Sequence, residues 1–165
     1  MLPFLKRGLL PARQFRRKTL DRQAMDSREA QETWDEYYER IRQRRTSEIA
    51  LMQTQMRGAG VTDDTGLLVD FGHFSSEKSD AEALLGQLGE NYEMTLRRDD
   101  KSGYWIAEGT TRPDACQLTE QELLDWVVFM CDVAHSHGCV FSSFKLEVLQ
   151  GGQSWSNQGV HTDEA

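Results

Sequence analysis

The stretch Leu67-Leu68-Val69-Asp70-Phe71-Gly72-His73-Phe74-Ser75-Ser76 decides how the chain is read. It is the first strongly apolar run after a long charged segment. Its start, Leu67 to Val69, is apolar on both faces, as expected of a central strand covered on at least one side. Two serines end it, and a helical pattern follows. Ser79 with Glu82 has capping-box spacing, and Ala81, Leu84, Leu85 and Leu88 form the apolar side of a short amphipathic helix.

Beyond that helix, Tyr92, Met94 and Leu96 alternate with Glu93, Thr95 and Arg97, which is the period of a strand. Asp99 to Gly103 reads as a hairpin loop, and Tyr104-Trp105-Ile106-Ala107 as the returning strand. Thr119 with Glu122 gives another capping box. The helix behind it places Leu123, Val127, Met130 and Ala134 on one face and closes at Gly138. A last strand runs from Cys139 through Phe141, Phe144, Leu146 and Val148. Strand, helix, strand, strand, helix, strand is a doubled split βαβ unit. The expected fold is therefore α+β, a ferredoxin-like βαββαβ antiparallel sandwich over residues 61–150, with the first and third strands at the centre.

Upstream, residues 26–56 have a helical period carried by Trp34, Tyr38, Ile41, Ile49, Met52 and Met56. Thr46 or Ser47 offers a second cap that would split this region in two, and Gly58 and Gly60 end it. The apolar stripe is narrow, so residues 25–60 are expected to form an N-terminal helical segment that docks on the domain or joins copies into a homo-oligomer. Residues 1–24 hold seven Lys or Arg against Asp21 alone, a charge of 7 − 1 = +6, and are expected to be a basic flexible arm. A targeting or membrane-surface role for that arm and a natural start at Met25 are the alternatives. The Gly-, Ser-, Gln- and Asn-rich residues 151–165 are expected to be a disordered tail.

Charge bounds the function. The net charge is −8, so residues 25–165 carry −8 − 6 = −14. A body that acidic repels a phosphate backbone and suits basic protein partners, which argues against direct nucleic-acid binding. Phe71 and Trp105 sit where an RNA-binding sheet would stack bases, but the glycine- and aromatic-rich strand motif is missing. Core or partner-facing aromatics are the better reading. Cys116, Cys131 and Cys139 are odd in number and lack metal-ligand spacing, as for reduced thiols in a cytoplasmic protein. No apolar run has the roughly 18–20 residues of a membrane span. His135 and His137 are two apart and point in different directions on a helix. His73, at the end of the opening strand, reads as a structural histidine before a catalytic one.

The order of elements from about Ile41 to Leu149 resembles the regulator of ribonuclease E activity B family of protein inhibitors. The resemblance is carried by Leu51-Met52, by Arg57-Gly58-Ala59-Gly60, and by Phe71-Gly72-His73-Phe74-Ser75-Ser76. Asn91-Tyr92-Glu93-Met94 stands where the family has a Gly-Tyr-type strand. Phe141-Ser142-Ser143-Phe144 replaces the family's Tyr-Asp-Gly-Trp and keeps only its aromatic spacing. The resemblance implies a ferredoxin-like domain that binds another protein, an endoribonuclease, and has no active site, cofactor or metal; the acidic body adds that the region bound is basic, and the cysteines that the setting is cytoplasmic. His73, Phe74, Trp105, Phe141 and Phe144 are its candidate partner-binding residues. The alternative is a small-molecule-binding or catalytic domain with a pocket near His73.

Overall fold

The computed structural model describes the backbone of residues 12–160 and the side chains from Asp26 to Val160. The described chain divides into two compact units, one up to Tyr37 and one from Tyr38 onward. A single helix, α1 (Ala12–Gly58), supplies all the described residues of the first unit and opens the second. In the first unit the exposed side is stitched by Gln31 donating to Asp35 at 2.9 Å, and Trp34 stacks on Tyr37 with ring centroids 5.9 Å apart. The flexible arm expected over residues 1–24 is corrected from Ala12 on; its first eleven residues lie outside the described ones. Between Ala12 and Met25 no glycine or proline interrupts a run of good helix formers, and basic charge alone does not break a helix. The expected split at Thr46 or Ser47 is absent as well. Both hydroxyls donate to the Gln43 carbonyl at 2.9 Å, so they bond back onto the preceding turn rather than cap a new helix.

The second unit mixes helices with one antiparallel sheet. After α1 come β1 (Gly66–Ser75), α2 (Lys78–Leu88), β2 (Glu93–Arg98), β3 (Trp105–Thr110), β4 (Cys116–Gln117), α3 (Glu120–Ser136), β5 (Val140–Val148) and β6 (Ser154–Ser156). The strand order is β2-β3-β1-β5-β6, with β4 pairing the start of β1. The sheet thus has six strands where the sequence suggested four, because two short pieces extend it. The opening stretch is β1, hydrogen-bonded to β3 on one side and β5 on the other. The Thr119–Glu122 capping box forms as expected: Thr119 Oγ1 accepts from the Glu122 N–H and the Glu122 carboxylate from the Thr119 N–H. The Ser79–Glu82 box does not, since α2 begins at Lys78 with Glu77 as its cap residue. The entry turn is held one step earlier, by Ser75 Oγ accepting from the Glu77 N–H at 3.1 Å.

Strand alternation sends Leu67, Val69, Phe71 and His73 of β1 under the helices. Phe71 meets Trp126 of α3 edge-on at 5.7 Å and lies across its β3 partner Gly109. A Cβ at Gly109 would fall 2.3 Å from the Phe71 ring, so only glycine fits there. The ends of α2 and α3 are tied together on this same face. Trp126 Nε1 donates to the Tyr92 hydroxyl at 3.1 Å, and His137 Nε2 pairs with Gln87 Oε1 at 2.6 Å.

The tail corrects the expectation of disorder over 151–165 as far as Val160. Here β6 pairs with β5, and the next residue, Asn157, is buried. Its Oδ1 accepts the Phe144 N–H at 2.8 Å, and its Nδ2 donates to the Ser142 carbonyl and to Glu48, both at 3.1 Å. Glu48 is buried too, and takes two hydrogen bonds of 2.7 Å from Arg45, whose Nε donates to the Phe141 carbonyl. Every charge in this clamp has a partner, which is the condition for burying it. A polar tail is held here by satisfied hydrogen bonds rather than by apolar burial.

Candidate partner-binding face

His73, Phe141 and Phe144 were expected to face a partner. All three are core: His73 and Phe141 have no exposed surface and Phe144 keeps 1%. The aromatic–x–x–aromatic spacing explains how. Residues three apart on a regular strand point to opposite faces. Gly72 pairs with Ser143 and His73 with Phe141, which leaves Ser142 as a bulge without a cross-strand partner. The extra residue turns Phe141 back to the helix side, where it stacks on Phe144 at 5.5 Å with the rings 15° from parallel. Ser142 Oγ donates to the Gly72 carbonyl and the Asn157 side chain holds the Ser142 carbonyl, so the bulge is bonded in place.

The pocket expected near His73 is filled by aromatic rings. Its imidazole packs 5.0 Å from Phe141 and edge-on to Phe71 at 5.8 Å. Neither ring nitrogen makes a hydrogen bond of good geometry. Burial drives its pKa down to about 4, and the backbone of Met130 opposes that only weakly. A neutral, enclosed ring is a packing element.

Phe74 and Trp105 do reach the surface, on opposite sides of one sheet end. Phe74 is half-buried on the face away from the helices, tilted against the exposed Tyr104 at 5.0 Å. Trp105 lies on the helix side, with Lys78 Nζ 5.0 Å and Arg98 Cζ 5.9 Å from its ring centroid. The alternation that hides Phe71 and His73 thus exposes their even-numbered neighbour.

Among the described residues of the second unit, no element packs on the face away from the helices. Across it, in register, lie Glu93, Thr110, Asp70 and Lys145, and beside them Thr95, Glu108, Gly72 and Ser143. A groove of about 430 Å³ lies on this face, with the small Ser143 in its lining. Its polar lining includes Asp70, Glu93, Glu108, Thr95, Thr110 and Lys145. Three carboxylates against one ammonium give this lining a formal charge of −2. Arg97 pairs with Glu108 at 2.9 Å, and Arg112 bridges Asp70 and Glu147. Burial would raise the Asp70 pKa, but hydrogen bonds from Arg112 and Thr110 outweigh it and hold the carboxyl below its usual range. Glu147 is likewise held low by Arg112, whose own value these two carboxylates raise.

Among the described residues no cluster of three or more His, Cys, Asp or Glu is placed to hold a metal. No helix among them is long and apolar enough to cross a membrane. Cys131 and Cys139 are buried thiols and Cys116 is half-buried, none of them bonded to another cysteine. No protein-family model, curated protein or solved structure matches the chain.

Proposed function

We propose that this protein is a non-enzymatic modulator that binds an RNA-processing endoribonuclease of the ribonuclease E kind and inhibits or adjusts its activity in RNA turnover. Its domain is a ferredoxin-like βαββαβ sandwich, formed by β1, α2, β2, β3, α3 and β5, to which β4 and β6 are short additions. The observation that carries the reading is a sheet with helices on one face and, on the other, a carboxylate-bearing groove that no described element of the second unit covers. Such a face favours a basic protein segment and disfavours a phosphate backbone. The sequence resemblance to the ribonuclease regulator family supports the choice of partner. It rests on residues that build the scaffold, His73, Phe141 and Phe144, so kinship and contact surface are separate matters. A cytoplasmic setting follows from that partner and agrees with three unbridged cysteines.

The test is co-purification of the tagged full chain from its native cell. Recovery of an endoribonuclease, and reduced cleavage of its RNA substrate on adding the pure protein, are the expected results. Capture of no ribonuclease or RNA-degradation component refutes the reading.

A further inference from the structure

We infer that the groove on the open sheet face is the docking site for an arginine- or lysine-bearing extended segment of the partner protein, with an apolar residue of that segment seated on Phe74 and Tyr104. This rests on the proposed function for the partner's identity and goes beyond it in naming the surface. Three observations converge. The groove is a depression of about 430 Å³, large enough for a basic side chain. Arg97 pairs with Glu108 and Arg112 with Asp70 and Glu147, so four carboxylates against Lys145 and these two arginines leave the face at −4 + 3 = −1. Glu93 makes no ion pair among the described residues, so one exposed carboxylate stands available at the rim. At the end of the same face, Ile106 pairs with Phe74, and Phe74 leans on the exposed Tyr104. An apolar step next to an acidic groove fits alternating apolar and basic residues.

The groove lies beside β2, whose outer edge is unpaired in the sheet. An extended segment can therefore reach it along that edge, where Glu93, Thr95 and Arg97 present their side chains to the open face. Lys145 at the groove's far end repels a second cation and Glu108 is already paired with Arg97, so the basic group is placed at Glu93 rather than beside β5.

The experiment uses the full chain and a labelled alternating Arg–Leu peptide, read by fluorescence anisotropy at low and moderate salt. The double variant Glu93→Gln with Glu108→Gln removes two of the groove's three carboxylates without changing side-chain size. A control, Glu90→Gln with Asp125→Asn, removes the same charge from exposed positions off this face. Loss of roughly tenfold in affinity for the groove variant, with a shallower salt dependence and an unchanged control, supports the site. Thr95→Lys, which adds an ammonium at the groove, should abolish binding. Equal weakening by both double variants, or no peptide binding by the wild type at low salt, overturns the inference. So does self-association of the wild type that the groove variant abolishes, because the occupant is then the basic N-terminal segment of a second copy. If the groove variant still captures and inhibits the endoribonuclease, the surface is wrong and the function stands. If the wild type captures no ribonuclease yet binds the peptide through the groove, the function is wrong and the surface stands.

Discussion

Mild acid should destabilise this protein through His73, a buried group that plays no part at the open face. The ordinary histidine value is 6.5 and the folded value about 4. Above pH 6.5 the imidazole is neutral in folded and unfolded chains alike, and the group contributes nothing to pH dependence. As pH falls below 6.5 the unfolded chain takes up a proton that the folded chain refuses. Stability then drops, until the loss is complete below about pH 4. At about 1.4 kcal/mol per pH unit the full loss is about 3 kcal/mol, of which about 1.5 kcal/mol falls between pH 6.5 and 5. The depressed carboxyls Asp70 and Glu147 have ordinary values of 3.8 and 4.5, so what they contribute is lost only at lower pH. Urea denaturation at a series of pH values measures the slope. His73→Phe keeps an aromatic ring against Phe71 and Phe141, removes the two unpartnered nitrogens, and should flatten the window from pH 6.5 to 5. An unchanged slope in that variant refutes the argument, as does an imidazole that titrates near 6.5 by NMR.

Four further perturbations probe the scaffold. Asn157→Ala strands the buried Phe144 N–H and removes a hydrogen bond from Glu48, so it should destabilise by about 3 kcal/mol and lower Tm by about 6–12 °C. An effect below about 0.5 kcal/mol, like that of exposed Gln158→Ala, would mean the tail is not docked. Gly109→Ala drives a methyl into Phe71 and Met94 and should destabilise by about 1–3 kcal/mol or more in thermal unfolding. Thr119→Ala removes the α3 cap, at about 1 kcal/mol by the same measurement. Under native conditions a thiol reagent should label Cys116 first. Burial pushes Cys131 up to about 12 and Cys139 to about 11, so their reaction should await unfolding, as mass-mapped labelling with and without urea would show.

How far the chain could be read in advance differs from element to element. The apolar run of β1, the period of two in β2, the Thr119–Glu122 pair and the apolar face of α3 are local signals, and each produced the element expected. The long helix from Ala12 was masked by its charge, although its residues favour a helix and contain no breaker. The candidate site was legible only in part. A His-aromatic pair at a strand end marks a special position, but sequence does not say which of the two is inside. Alternation settles it once β1 is known to lie beneath α3: His73 turns in and Phe74 out. Phe141 and Phe144 misled for a sharper reason, since a spacing of three on a strand implies opposite faces and only the bulge at Ser142 puts both in the core.

By itself the sequence determined β1, α2, β2, β3, α3 and β5 in their order, the acidity of the body and the absence of a metal-ligand cysteine spacing, because these depend on neighbours along the chain. Tertiary structure decided the rest. Asn157 finds Glu48 across 109 positions of sequence and turns a polar tail into a clamp. The groove takes Glu93, Thr110, Asp70 and Lys145 of its lining from four strands, which bring them into register. Hydrogen-bond satisfaction and cross-strand register are properties of distant partners, and no local pattern of residues encodes them.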